Sequence, residues 1–191
     1  MTLSYFPNGN WSSTSREERY FCQALFQRIK ESEQKFVKFL NAKAGLGLNE
    51  SDSWEIGDEV CLYRDVLHAR GQPNSSEYSI KRTFDLCLFS EQQVVVIEAK
   101  AQQTFKPREM ESIKLDKSRI KKLLKTDTKA FAVAIASSTY FENHSKHSLN
   151  KDLLNSFDAR ISWEELYQGF CADPLFLQAN VIYKQGRNTN A

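Results

Sequence analysis

The stretch Val94-Val95-Val96-Ile97-Glu98-Ala99-Lys100-Ala101-Gln102 limits what this chain can fold into more than any other. Its first half is apolar and β-branched, the mark of a strand buried on both faces. Its second half sets an acid, a base and an amide at every second position. Side chains alternate across a strand, so Glu98, Lys100 and Gln102 are expected on one face with Val94 and Val96. Charged groups are almost never fully buried unless they are paired or bind a metal. A buried strand with this ending points to chemistry.

The segment before it, Tyr78 to Phe89, also alternates. Ile80, Arg82, Phe84, Leu86 and Leu88 fall on one face, and Lys81, Thr83, Asp85, Cys87 and Phe89 on the other. Only Ser90-Glu91-Gln92-Gln93 separates the two segments, which predicts an antiparallel hairpin. With Glu91-Gln92 at the turn, paired residue numbers sum to 183, and a four-residue loop with the same centre gives the same pairs. Phe89 then faces Val94, and Asp85 faces Glu98. Directly opposed side chains have Cβ atoms ~4.5–5.5 Å apart, where like charges destabilise a sheet. Two carboxylates so placed call for a cation between them.

Elsewhere the pattern is one of alternating helices and strands. Residues 1–13 read as an irregular lead-in. Thr14 and Ser15 with Glu17 and Glu18 offer two competing capping boxes for a helix running to about Leu40, with polar residues 30–35 interrupting its pattern. Glu18, Cys22, Leu25 and Ile29 share one side of it, so Glu18 can point inward from the end of an apolar stripe. Residues 41–52 read as a loop, 56–68 as a strand, and 69–76 as a loop. Beyond Gln102 come a helix over 109–125 with a basic outer face and a buried strand from Lys129 to Ile135. A polar segment follows at 137–147, then a short helix at 148–157. Arg160-Ile161-Ser162 reads as a brief strand feeding a helix capped by Ser162 and Glu165. Leu175–Tyr183 fits a last helix or strand, and 184–191 is expected to fray.

The 191 residues suit a single domain with a real core, and 41% apolar with 26% charged residues is ordinary for a globular protein. No apolar run approaches the ~18–20 residues that span a bilayer, and no signal-peptide pattern opens the chain. A cytoplasmic protein without a membrane partner is expected. Cys22, Cys61, Cys87 and Cys171 lie too far apart for zinc-ligand spacing and read as free buried thiols. From Lys100 to Lys129 ten Lys/Arg stand against four Asp/Glu, while the net charge of the whole chain is only +2. A basic flank beside a candidate site suits a polyanion. His144 and His147 lie in the polar segment without a third ligand and read as surface histidines. His68 could reach the site, but nothing requires it. No Gly-rich phosphate loop or Gly-x-Ser-x-Gly elbow occurs.

Asp85 on one strand, Glu98-Ala99-Lys100 on the next and an acid on the first helix resemble the PD-(D/E)XK nuclease superfamily, over roughly residues 14–141. Phe84 stands before Asp85 where the family name has proline, a position that varies widely. The resemblance implies an α/β fold with a restriction-endonuclease-like core. Its central mixed sheet, in αβββαβ order, is flanked by helices, with helical elements at 148–183 appended. It also implies metal-dependent hydrolysis of phosphodiester bonds, with a DNA endonuclease expected. Mg²⁺ or Mn²⁺ would be held by Asp85, Glu98 and the Ala99 carbonyl, with Glu18 (Glu17 in reserve) orienting its water shell or holding a second ion. Lys100 would favour hydroxide and position the nucleophile, and Gln102 would contact phosphate or orient Lys100. Lys106, Arg108, Lys114, Lys117, Lys121 and Lys122 would grip the phosphate backbone without reading sequence. Specificity would come from substrate shape, a loop or a partner protein, and a homodimer would suit cutting both strands. Two other classes fit less well. One is a nuclease-fold binding or assembly subunit with weak or no catalysis. The other is an unrelated α/β interaction domain, which would require Asp85 and Glu98 to point to opposite faces.

Overall fold

The computed structural model describes residues 18–124, 127–145 and 154–185. The β-branched run forms β3 (Gln93–Ala99), central in a five-stranded sheet ordered β1 (Glu55–Val60), β2 (Phe84–Phe89), β3, β4 (Lys129–Ala136), β5 (Ala159–Ser162). The first three strands are antiparallel, and β4 and β5 run parallel to β3. Among the described residues, seven helices accompany them: α1 (Glu18–Glu31), α2 (Glu33–Ala44), α3 (Leu62–Ala69), α4 (Pro107–Leu124), α5 (Ser138–Ser145), α6 (Trp163–Gly169) and α7 (Pro174–Gln185). The fold is α/β, an open mixed sheet flanked by helices.

One apolar layer joins Leu25 and Ile29 of α1, Phe36 and Leu40 of α2 and Trp163 of α6 to Leu86, Leu88, Val95, Ile97 and Ile135 of the sheet. The opposite layer joins Tyr63 of α3, Ile113 and Ile120 of α4 and Tyr140 of α5 to Cys87, Val94, Val96 and Ala132. Val94 through Ile97 are therefore buried from both sides, each contributing about 1.5–3 kcal/mol of burial. The strand's long apolar run has its cause here. No helix among the described residues is long and apolar enough to cross a membrane.

The hairpin register is the expected one: Phe89 pairs with Val94, Leu88 with Val95, Cys87 with Val96 and Leu86 with Ile97. The Ser90 amide donates to the Gln93 carbonyl at 2.8 Å, closing a turn centred on Glu91-Gln92. The ladder stops one pair short of Asp85 and Glu98.

Several expectations are corrected. The strand read at 56–68 is β1 followed by α3, because Leu62, Tyr63, Val66 and Leu67 recur at helical rather than alternate spacing. The strand read at 78–89 begins only at Phe84. Turns hold the earlier residues, with the Tyr78 amide on the Ser75 carbonyl and the Arg82 amide on the Ser79 carbonyl. The single helix to Leu40 is two, parted at Ser32, and α2 continues to Ala44, where Gly45 takes the left-handed conformation (φ 61°) that ends it. The polar segment at 137–147 contains α5, started by the Ser137 hydroxyl accepting from the Tyr140 amide, so His144 lies on a helix and not in a loop. Cys22 and Cys87 are fully buried, whereas Cys61 and Cys171 are half-buried. Strand β5 and the Ser162–Glu165 capping box of α6 occur as read, and Leu175–Tyr183 lies in helix α7. Thr14, Ser15, Glu17, His147, most of the helix read at 148–157 and residues 186–191 lie outside the described residues.

Candidate active site

The charged residues gather where β2, β3 and the N-termini of α1 and α4 meet. Asp85, the second residue of β2, accepts a hydrogen bond through Oδ2 from the Ala99 amide at 2.7 Å. The next amide, Lys100, donates the other way, to the Ile135 carbonyl of β4 at 2.7 Å. The carbonyl of a trans peptide points opposite its own N–H, so the Ala99 carbonyl is turned from β4 toward the Asp85 side. A carboxylate and a carbonyl oxygen thus share one strand edge. The Lys100 carbonyl is fixed as well, accepting from the Trp163 indole at 2.9 Å. Both ends of the lysine's backbone are locked.

The Lys100 side chain, only 10% exposed, reaches Glu18 at 3.1 Å, with the Phe105 ring 5.7 Å from its ammonium. The other Glu18 oxygen, Oε2, is buried without a hydrogen-bond partner among the described residues. Burial lifts the Glu18 carboxyl to about 7, with Lys100 pulling it down and Asp85 pushing it up. Burial raises Asp85 as well, partly offset by the Ala99 amide and Lys100. Burial alone would weaken the Lys100 ammonium, but Glu18 and Asp85 outweigh it and hold the lysine above its ordinary value. Lys100 is a cation at neutral pH, not a base.

Glu98 lies on the opposite layer, with Val94 and Val96. Its carboxyl is 2.6 Å from Nη2 of Arg82, whose Nε donates to Asp116 at 2.9 Å. Asp116 in turn accepts from the Tyr63 hydroxyl at 2.6 Å. Burial raises Glu98 to about 8, while Arg82 lowers it and Asp85 raises it further. Glu98 and Lys100 therefore do not project together with Gln102. β3 ends at Ala99, and past that point the alternation stops applying. Gln102 is exposed in a bend.

Sequence reasoning overlooked four contributors. Arg82 and Asp116 form the network just described. Asp116 had a readable signal, as a lone acid in the buried row Met110, Ile113, Asp116, Ile120 and Leu123 of α4. Glu59 stands beside Asp85 on β1 in the left-handed region (φ 49°), pairing with Arg19 at 3.3 Å and raising Asp85. Glu109, in the first turn of α4, acts on Glu18 and Lys100. Six carboxylates, those of Glu18, Glu59, Asp85, Glu98, Glu109 and Asp116, thus act on this cluster against the cations of Lys100 and Arg82 and, at the surface, Arg19.

The basic residues of α4 divide. Lys117 is held by Asp158 at 2.9 Å and Lys122 by Glu77 at 2.7 Å. Lys106, Arg108, Lys114 and Lys121 are exposed and have no ion-pair partner among the described residues. Lys106 and Arg108 flank Glu109, whereas Lys121 and Lys122 sit roughly 20 Å further along at 1.5 Å per residue. His68 is exposed in the last turn of α3.

These oxygens suit a hard divalent cation in kind. Mg²⁺ needs only one or two protein carboxylates beside water. Asp85, the Ala99 carbonyl and Glu98 are donors of that kind, and Glu18 Oε2 is buried without a hydrogen-bond partner among the described residues. Among the described residues, no three Asp, Glu, His or Cys side chains already stand grouped as a metal cluster. Comparison of the chain with protein-family models, curated proteins and solved structures found no match.

Proposed function

We propose that this chain is a metal-dependent nuclease with a restriction-endonuclease-like core, hydrolysing phosphodiester bonds in nucleic acid, with DNA favoured. The observation that carries the reading is the joint placement of the Asp85 carboxylate and the Ala99 carbonyl on one strand edge, next to the locked Lys100. The sheet supports it too: three antiparallel strands and a fourth parallel to β3 follow the order that the resemblance implies, with α3 inserted between β1 and β2.

Asp85, Glu98 and the Ala99 carbonyl would hold Mg²⁺ or Mn²⁺. When bound, such a cation lowers the pKa of its water and offsets charge on the reacting phosphate. The chain's own groups do the rest. Lys100, kept as an ammonium by Glu18 and Asp85, donates to a phosphate oxygen or steadies a hydroxide. Glu18, with a pKa of about 7, is poised to take a proton at neutral pH. Lys106 and Arg108, at the mouth of the cluster, draw the phosphate backbone in. A second copy or a partner protein would supply the second cut of a duplex. A cytoplasmic setting fits the same reading.

One observation favours the alternative of a nuclease-fold binding or assembly subunit: Arg82 already neutralises Glu98. Incubation with labelled duplex, single-stranded and branched DNA, and with RNA, in Mg²⁺ or Mn²⁺ decides between them. The nuclease reading expects cleavage that EDTA abolishes and Lys100→Ala lowers about 10²–10³-fold. Cleavage undiminished by Lys100→Ala would refute the site, and tight binding without cleavage would favour the subunit.

A further inference from the structure

We propose that Arg82 is a positioning residue for Glu98, and that Tyr63 and Asp116 act through it as a relay. The inference rests on the reading of Glu98 as a metal ligand. Arg82 meets two different acids from two sides of one planar guanidinium, Nη2 lying 2.6 Å from Glu98 on β3 and Nε donating to Asp116 on α4. That plane lies over the Phe84 ring at 4.4 Å, which blocks its rotation. Asp116 cannot swing away, because its second oxygen takes the Tyr63 hydroxyl and its side chain is 2% exposed.

The result is a chain from α3 through α4 to β3 in which every link is set by the one before. Its last link sets Nη2 of Arg82 against Oε1 of Glu98 at 2.6 Å, an ion-pair contact in which neither atom makes a hydrogen bond among the described residues. A glutamate left to itself must give up rotamer freedom when it binds a cation, and this one has already done so. A lysine at position 82 would keep the charge but could not bridge two acids with a rigid fork.

Mn²⁺ titrated into metal-free protein, followed by calorimetry and by the loss of the free Mn²⁺ paramagnetic resonance signal, tests this without reference to cleavage. Arg82→Lys should weaken Mn²⁺ binding ~10–100-fold, as expected for removing a group that orients a ligand. Tyr63→Phe should weaken it a few-fold, and the double variant should bind no more weakly than Arg82→Lys alone. Circular dichroism identifies which variants are folded. If Arg82→Lys fails to fold, Tyr63→Phe decides the question. Unchanged or tighter Mn²⁺ binding in a folded variant would overturn the proposal and leave the pair a purely structural contact. Additive losses would place Tyr63 outside the relay and overturn it too. A native chain that binds no Mn²⁺ would overturn both this inference and the metal reading beneath it.

Discussion

The acids on the two sides of β3 are treated differently. Toward α3 and α4, charges alternate along one chain of Glu98, Arg82, Asp116 and the Tyr63 hydroxyl, hydrogen-bonded from Arg82 onward and joined to Glu98 by an ion pair at 2.6 Å. Toward α1, Asp85 and Glu18 both act on Lys100, Glu59 and Glu109 add negative charge, and one Glu18 oxygen is buried without a hydrogen-bond partner among the described residues. The first side is the closer of the two to a finished network. The second is short of positive charge, which is the condition under which a protein takes up a cation or a polyanion's counter-charge. Burial of ions costs several kcal/mol each unless it is repaid by partners, so an unfinished cluster is maintained only at a cost in stability.

The largest expected effect falls on the finished side. Asp116→Ala strands the Arg82 guanidinium and should destabilise the fold by about 3–5 kcal/mol in urea unfolding, with Mn²⁺ binding by any remaining folded protein weakened as well. A loss below ~1 kcal/mol would mean that the two sides do not differ in this way. On the unfinished side, Lys100→Ala should lower single-turnover cleavage about 10²–10³-fold, the scale of removing one charge-stabilising donor.

A pH test sharpens the contrast. In EDTA, Glu18 at about 7 and Glu98 at about 8 both stand above the ordinary 4.5, so the folded state binds their protons more tightly than the unfolded state. Their contribution is complete below pH 4.5 and is lost as pH rises through 7 and 8. Metal-free stability should fall over that window by an amount on the order of 1–3 kcal/mol. Glu18→Gln should flatten the lower part of the fall and Glu98→Gln the upper. Saturating Mn²⁺, which needs the carboxylates ionised, should remove the trend in the native chain. Parallel curves for native and both variants would contradict the assignment.

The smallest effects concern α4. Lys106→Ala and Arg108→Ala should each reduce the slope of log binding constant against log salt on duplex DNA by ~0.9, one phosphate contact each. Lys122→Ala, which removes a residue tied to Glu77, should change it less.

Residue pattern alone made the hairpin legible, since a β-branched run and a four-residue polar turn leave few registers open. The capping box at Ser162 was legible for the same local reason. What stayed hidden depends on contacts distant in sequence. Tyr63 read as part of a strand because its helical neighbours, Leu62, Val66 and Leu67, are also good strand formers. Arg82 read as one member of an alternating strand, and only its partner 34 residues later, Asp116, reveals why the chain turns there. Lys100 was assigned a face by alternation, yet it lies just past the end of the strand, where Glu18, 82 residues earlier, decides its direction. Lys117 and Lys122 looked free on their helix because Asp158 and Glu77 lie far along the chain.

The central claim is that the Asp85–Ala99 edge is a cation site completed by Glu98. Crystals grown with Mn²⁺ and measured at its absorption edge test this most directly. The account predicts an anomalous peak bonded to the Asp85 carboxylate and the Ala99 carbonyl at about 2.0–2.3 Å, with Glu98 still held by Arg82 through its other oxygen. Full Mn²⁺ occupancy elsewhere, with this edge empty and the Glu98–Arg82 contact unchanged, would contradict it.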